Sequence, residues 1–452
     1  MSGFKGGVDG FRNGRVGGWI VPTEEIIVEI GGVRVDSFVP NALRPDVVAA
    51  GVTENPNIGI SYNLDWEKIA VGDTLNFAVS RGEALTSLPG APVNLEPIRQ
   101  NAKQLRNFLA VPPFVINGVE RVGDDLIFKG NLISVSRNGE LELNLLINGK
   151  PFDSIEWSAA DPATKQYFWF VPTGKSAFTG KLHGAASQSL VNEYHVQPVF
   201  ASNNEPVAPY LYLDIPATLP HNLPGAEAQH RVMGWSNDFW FSMYGRTHKN
   251  TIVNLINKHK AVSDWASVSL LDWGCGCGRI VRHFLDSDTP LGRLVGVDID
   301  AVNINWCNKN LSGAEFYATG LQPPLPFEND SFDFVHGNSV FTHLNDVNQD
   351  LWLAEIKRIL KPGGIAMLTV NSKGALAYGS ADSLFIGEWE SSGIYFPGHN
   401  TNIDEVISDH SYYYDTFHTH AYVRTHWSKF LDLLEIYEMV FGYQDVVVLR
   451  KT

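Results

Sequence analysis

The chain has 452 residues, well beyond the ~150 of one ordinary domain, so two or three domains are expected. Its 44% hydrophobic and 18% charged residues are those of a globular protein, and no apolar run approaches the roughly 20 residues that span a bilayer. A balance of 34 Lys+Arg against 49 Asp+Glu gives a formal charge of -15, which argues against nucleic acid as a partner, and there is no transmembrane segment to place it in a bilayer.

In chain order, short β-like runs come first: "GRVGGWIV", "IIVEIGGVRV", "IGISYNL" and "TLNFAV", broken by Gly, Pro, Asn and Asp. They predict a small β-sandwich module over 1–90. A polar helical stretch, "PIRQNAKQLRNFLA", fills a linker over 91–117. A second β-rich module is expected over 118–200, with a hairpin signal at Asn148-Gly149 in "LELNLLINGKPF". Residues 201–226 carry prolines at 206, 209, 216, 220 and 224, which forbid a long helix and read as a linker.

From 227 to 452 the pattern alternates between helix and strand. A helix over 239–260 precedes the strand "VSLLDW". Then follow "GRIVRHFL" as helix, "RLVGVDI" as strand, "AVNINWCNKN" as helix, and "AEFYAT" and "FDFVHG" as strands. In "NDVNQDLWLAEIKRIL", Trp352, Ile356, Ile359 and Leu360 share one helical face. Pro362-Gly363 is expected to end that helix before the strand "IAMLTV". The alternation predicts an α/β, doubly wound parallel sheet with helices on both faces.

"DWGCGCG" then stands at the carboxyl end of the first strand, where such sheets bind ligands. Glycines at 274, 276 and 278 permit a tight turn whose N–H groups approach a ligand, and Asp298, 20 residues after Gly278, can accept hydrogen bonds from a ribose. Cys275 and Cys277 have neither a second cysteine pair nor a neighbouring histidine, so they read as small space-filling residues and no metal is expected. Together with Cys307 they are too few to staple the chain. With no apolar secretory stretch in "MSGFKGGVDGFRNG", a cytoplasmic location is expected.

"LLDWGCGCGRI", "VGVDID", "LPFENDSFDFVHGNSVFTHL" and "EIKRILKPGGIAML", in that order, resemble the class I S-adenosylmethionine-dependent methyltransferases over roughly 227–452. "LEIYEMVFGY" and "QDVVVLRK" are positioned as that family's terminal antiparallel hairpin. The resemblance implies S-adenosylmethionine as cofactor. Asp272, Gly274, Gly276 and Gly278 would surround its methionine part, Asp298 would hold its ribose and Ile299 would pack on its adenine, with Asn338 a further cofactor-binding residue. Many relatives carry an acid before the "LPF" loop for the adenine amino group. This chain reads "YATGLQPPLPF", so backbone around Gly320 and Leu321 would serve instead.

A hydroxyl acceptor calls for a general base, whereas a carboxylate acceptor needs none. His343, after the fourth strand, is the first candidate. His420 in "YYYDTFHTHAYVRTHW" is the second, in a segment that lies on the substrate side in the resembling family and also holds His418 and His426. Near the N-terminus, "GRVGGWIV" and "LRPDVVAAG" resemble a β module found beside glycosyltransferase and methyltransferase domains of bacterial surface-polysaccharide pathways. The acceptor this implies is a sugar hydroxyl of a surface polysaccharide or its precursor. A lipid or small-metabolite methyltransferase, and a glycan-binding scaffold without turnover, are the alternatives.

Overall fold

The structure is a computed structural model that describes residues 5–12, 15–21, 24–64, 69–81, 84–135, 142–171, 173–185, 193–220, 222–285, 291–407, 409 and 411–452. The chain divides into two compact units. One comprises Met1–Phe108, Ser158–Lys175 and Ser380–Asp382, the other Leu109–Trp157, Ser176–Gly379 and Ser383–Thr452. The second β block therefore lends residues 158–175 to the first unit, and its remainder shares a unit with the α/β region.

In the first unit, Lys5–Arg12, Arg15–Val21, Asn57–Asn63 and Ala42–Leu43 form one sheet in that order. Val33–Phe38, Ile26–Ile30, Thr74–Arg81 and Ala84–Ser87 form another, with Val93–Asn94 beside Thr74–Arg81. Period-two alternation turns Val16 and Ile20 inward, where they join Ile26, Val28, Ile60, Leu75 and Phe77 from both sheets in one apolar cluster. Trp19 falls on the opposite, half-buried face.

The second unit opens with two further sheets. Phe114–Val122, Asp125–Leu132, Ala177–Leu182 and Ser154–Ser158 form one; Lys150–Pro151, Leu143–Ile147, Glu193–Phe200 and Leu213–Pro216 form the other. Asn148 at φ 49° and Gly149 at φ 75° make the two-residue hairpin that the sequence signals. The proline-rich stretch is not all linker: Leu213–Pro216 is a buried strand, antiparallel to Glu193–Phe200. Alternation of Leu213 and Ile215 outweighs the prolines because Pro216 stands at the strand's end, where a missing N–H is tolerated.

The α/β region begins with helices α1 (Ala226–Met233) and α2 (Asp238–His259). Strand β1 (Ser269–Trp273), helix α3 (Val281–Leu285), β2 (Arg293–Asp298), α4 (Ala301–Asn310), β3 (Glu315–Ala318), β4 (Phe332–Gly337), α5 (Asp346–Ile359) and β5 (Leu360–Asn371) follow. Helix α6 (His420–His426) and the hairpin β6 (Asp432–Phe441) and β7 (Gln444–Arg450) close the chain. The sheet runs β3-β2-β1-β4-β5-β7-β6, parallel up to β5, with β7 antiparallel to β5. Leu271 and Trp273 face one cluster, with Trp352, Leu353 and Ile356 of α5; Leu270 faces the other, with Ile252 and Ile256 of α2 and Ile304 of α4. Apolar residues thus cover both faces, as a parallel sheet requires.

Two boundaries differ from the sequence reading. Residues 276–280 form turns, and the described helix after the glycines is only Val281–Leu285. Helix α5 stops at Ile359, so Leu360 opens β5 and Pro362-Gly363 lies inside that strand. The register slips between Phe332↔Leu360 and Phe334↔Ile365, an irregularity that accommodates the proline.

Candidate active site

The glycine turn is folded onto the end of β2. The amides of Gly274 and Cys275 donate to the Val297 carbonyl at 2.8 and 3.0 Å, and the Gly276 amide donates to Asp298 Oδ2 at 2.7 Å. Gly276 has φ 53°, and a Cβ there would lie 2.6 Å from Val232 Cγ2 of α1, so a side chain would meet that helix. Gly278 has φ 73°, and its Cβ would lie 2.5 Å from Leu311 Cδ1 and 3.3 Å from Cys307 Sγ. Gly278→Ala is therefore expected to destabilise the protein by about 1–3 kcal/mol, read as a lowered denaturation midpoint, because both the conformation and the space reject a methyl.

A cleft of about 1110 Å³, its open mouth included, lies at the carboxyl ends of these strands. Of the residues picked from the sequence, Asp272, Gly274, Gly276, Asp298, Ile299, Asn338 and His343 line it. Gly278, Gly320, Leu321 and His420 do not. Gly278 is spent on packing against α4 and Leu311, and the Leu321 carbonyl accepts from Trp352 Nε1 at 3.3 Å. His420 Nε2 bonds Asp445 Oδ2 at 2.6 Å, with Glu438 at 3.7 Å from Nδ1. His418 bonds Gln349 and His426 bonds Asp350, so the three histidines of that segment have separate partners. Among the described residues no group of three His, Cys, Asp or Glu has metal-site geometry. Cys275, Cys277 and Cys307 are buried free thiols whose Sγ atoms lie 3.6 Å from backbone carbonyls, and burial pushes the Cys277 thiol up to about 12.

Other lining residues were not among those picked from the sequence. Helix α1 supplies Arg231 and Val232, and Arg231 Nε pairs with Asp300 Oδ2 at 2.8 Å. Asp300 also caps α4, accepting from the amides of Val302 and Asn303. Arg279 enters from the glycine turn. Ile403, Val406, Tyr412 and Tyr413 form an apolar and aromatic wall. The two tyrosines belong to the segment singled out for its histidines, so the segment was legible and the side chains were not.

Residues 271–368, which hold the glycine turn, Asp298, Asn338 and His343, match the family model described as a methyltransferase domain. Over that segment the chain is similar to methyltransferase domains. It is 31% identical over 119 residues to a fatty-acid O-methyltransferase of Mycolicibacterium smegmatis, covering 26% of this chain and 42% of that one. It is 28% identical over 142 residues to the sterol 24-C-methyltransferase of Schizosaccharomyces pombe, covering 29% and 36%. The chain thus spans less than half the length of these curated relatives. A solved structure of the Burkholderia thailandensis 1,6-didemethyltoxoflavin-N1-methyltransferase is similar with a TM-score of 0.34 at 15% identity, covering 53% of this chain and 95% of that one.

The end of the cleft beside the glycine turn holds two carboxylates, one buried and one half-buried. Asp272 is 2% exposed and its Oδ2 has no hydrogen-bond partner. Burial, opposed by the charge of Arg279, raises its pKa to about 7. Burial also raises Asp298 to about 6, against the hydrogen bonds from the Asp300 and Gly276 amides. Asn338 Oδ1 is a further buried acceptor without a partner. Beside it Ser339 adopts φ 58°, a strained backbone held by its amide bond to Thr369 Oγ1 at 2.7 Å. Unpaired buried acceptors around a glycine cradle fit the amine and hydroxyl donors of S-adenosylmethionine.

On the other side, His343 ends a short 3₁₀ turn, Phe341–His343. Its Nδ1 lies 2.8 Å from the Tyr414 carbonyl, an acceptor only, so Nδ1 carries the proton and Nε2 the lone pair. The ring stacks on Tyr413 with centroids 4.1 Å apart. Two backbone bonds in the same sense, Tyr414 amide to His343 carbonyl at 3.0 Å and Thr416 amide to Thr342 carbonyl at 2.8 Å, fix the turn. Burial lowers the His343 pKa, with the Tyr414 carbonyl and Asp415 acting the other way. The imidazole is therefore neutral at pH 7.

Proposed function

We propose that the protein is an enzyme that transfers a methyl group from S-adenosylmethionine to a hydroxyl oxygen, with His343 as general base. The observation that carries this reading is the orientation of His343: Nδ1 is tied to the Tyr414 carbonyl, leaving the Nε2 lone pair without a partner among the described residues, in a residue that lines the cleft. The bound cofactor supplies a methyl already activated by a cationic sulfur, so the protein's task is alignment and removal of one proton. Asp272 and Asn338 would hold the methionine part, Asp298 the ribose and Ile299 the adenine. The carboxylate of Asp298 keeps lone pairs beyond the two used by the Gly276 and Asp300 amides. Asp298→Ala should weaken cofactor binding about ten- to a hundredfold by calorimetry, through loss of charge-assisted acceptors for two ribose hydroxyls.

For the acceptor, the resemblance of the N-terminal module supports a sugar hydroxyl of a bacterial surface polysaccharide or its precursor. Trp19, turned away from its module's core, suits stacking on a sugar face. A lipid or small apolar metabolite is the second reading, favoured by the wall of Ile403, Val406, Tyr412 and Tyr413. The fatty-acid and sterol methyltransferases of M. smegmatis and S. pombe point the same way. Incubation with labelled S-adenosylmethionine separates them. Label in a polysaccharide fraction supports the first, and label in an organic extract the second. Cofactor binding with no labelled product from either fraction supports a glycan-binding scaffold.

A further inference from the structure

Two short segments make the apolar wall of the cleft, and one side chain joins them. Asn400 caps the 3₁₀ turn Thr401–Ile403 by accepting from the Asn402 amide, and the Val406 and Ile407 amides donate to the Ile403 carbonyl at 2.8 and 3.1 Å. This turn carries Ile403 and Val406 to the cleft. A turn so short is marginal by itself and needs an anchor from outside. His399 supplies one: its Nδ1 lies 3.0 Å from the Tyr413 carbonyl and its Nε2 2.7 Å from Asp404 Oδ1. The Asn400 amide donates to the same Tyr413 carbonyl at 2.9 Å, and Asn400 Nδ2 donates to Asp415 Oδ1 at 2.6 Å. The turn is thereby tied to the segment that brings Tyr412 and Tyr413 to the wall.

Both of these ring partners, a carbonyl and a carboxylate, only accept. A neutral imidazole has one N–H and turns a lone pair toward one of them, whereas an imidazolium donates to both. His343 is different, since one acceptor at Nδ1 asks for one proton, and its own loop is held separately by the Tyr414 and Thr416 amides. We propose that His399 is a positioning residue for the acceptor: as an imidazolium it latches the Ile403–Val406 wall to Tyr413, and on losing a proton it gives up one of the two bonds. This rests on the reading of that wall as the acceptor side of the cleft. The titratable groups around the latch, among the described residues, are Asp404 at Nε2, Asp415 through Asn400, the exposed Glu405, Asp409 on its bond to Ser411, and His343 beyond Tyr414. His399→Gln leaves all of them in place and isolates what the ring contributes.

The test is hydrogen exchange of the full chain between pH 5 and pH 8, corrected for the intrinsic rate, with the His399 ring followed by NMR over the same range. Wild type should lose protection over residues 399–407 by about ten- to a hundredfold as pH rises, with its midpoint at the titration of the His399 ring. The Tyr414 and Thr416 amides should change by less than about threefold, because their bonds to the His343 loop do not involve the latch. His399→Gln, which keeps a single donor, should exchange at pH 5 as wild type does at pH 8 and show no further dependence on pH. Wild-type protection that ignores pH, or that falls away from the ring's titration, overturns the proposal. So does full protection in His399→Gln at pH 5, or parallel loss at Tyr414 and Thr416, which would mean that the whole segment opens. If the variant fails to fold, the wild-type series decides alone. Exchange is measured without an acceptor, so the absence of any labelled methyl product would overturn the acceptor reading and leave the latch standing.

Discussion

His343→Ala is expected to lower kcat by about two to four orders of magnitude while leaving cofactor affinity nearly unchanged. The imidazole is fixed by the Tyr414 carbonyl on one side and the Tyr413 ring on its face, so replacing it removes a positioned base and not a cofactor contact. The pH dependence follows from the lowered pKa. Below that pKa the ring is an imidazolium with no lone pair for the hydroxyl proton, so wild-type kcat should fall as pH drops beneath the ordinary histidine value of 6.5 and stay level above it. The variant should lack that acid limb. His343→Gln, which keeps a donor toward Tyr414, should be as inactive as the alanine variant, showing that proton removal and not loop support is lost. Full turnover in His343→Ala would instead indicate an acceptor that needs no base, such as a carboxylate. His420→Ala, by contrast, is expected to keep its kcat and lose stability, since it strips the buried Asp445 of its partner.

Asp272→Asn should weaken S-adenosylmethionine binding about ten- to a hundredfold and at the same time stabilise the ligand-free protein at neutral and alkaline pH. The folded protein holds the Asp272 proton up to about pH 7, whereas the unfolded chain releases it near 3.8. Between those values the folded state binds more protons, so stability falls as pH rises through this window. Each pKa unit of difference is worth about 1.4 kcal/mol. Asparagine is neutral throughout, so the gap in melting temperature between variant and wild type should widen from pH 5 to pH 8; parallel melting curves would contradict the assignment. If Asp272 holds the methionine part of the cofactor as proposed, its ionised carboxylate is the form that attracts the ammonium, so wild-type affinity should rise with pH up to about 7 and level off. The variant should show little of that rise, with Asp298 adding a weaker dependence of the same sign near pH 6.

Much of the cleft around the glycine turn was legible because it is built from local sequence. A strand, a turn needing positive φ at Gly276 and Gly278, and an acid at the end of the next strand are separated by short fixed spacings, and parallel pairing of Asp272 with Gly296 and His336 brings them together. His343 was legible for the same reason, since it follows β4 by a few residues. Its place ahead of His420 as first candidate was legible too, but the partners of the two side chains were not. Both histidines stand in segments that approach the sheet's carboxyl edge, and only the side-chain partners separate them: the Tyr414 carbonyl leaves Nε2 of His343 free, whereas Asp445 occupies Nε2 of His420.

The sequence by itself determined the alternating strands and helices, the glycine turn and the positions of Asp272, Asp298 and Asn338, because these depend on neighbours a few residues away. Tertiary structure alone decided that α1 covers the turn with Arg231 and Val232, that Ile403, Val406, Tyr412 and Tyr413 wall the far side, and that Arg279 Nε is buried with no hydrogen-bond partner among the described residues. It also turned Leu213–Pro216 from linker into a buried strand. In each of these the decisive contact joins residues tens of positions apart. Burial, pairing and charge then depend on what the chain brings back to the site, and no local spacing encodes that.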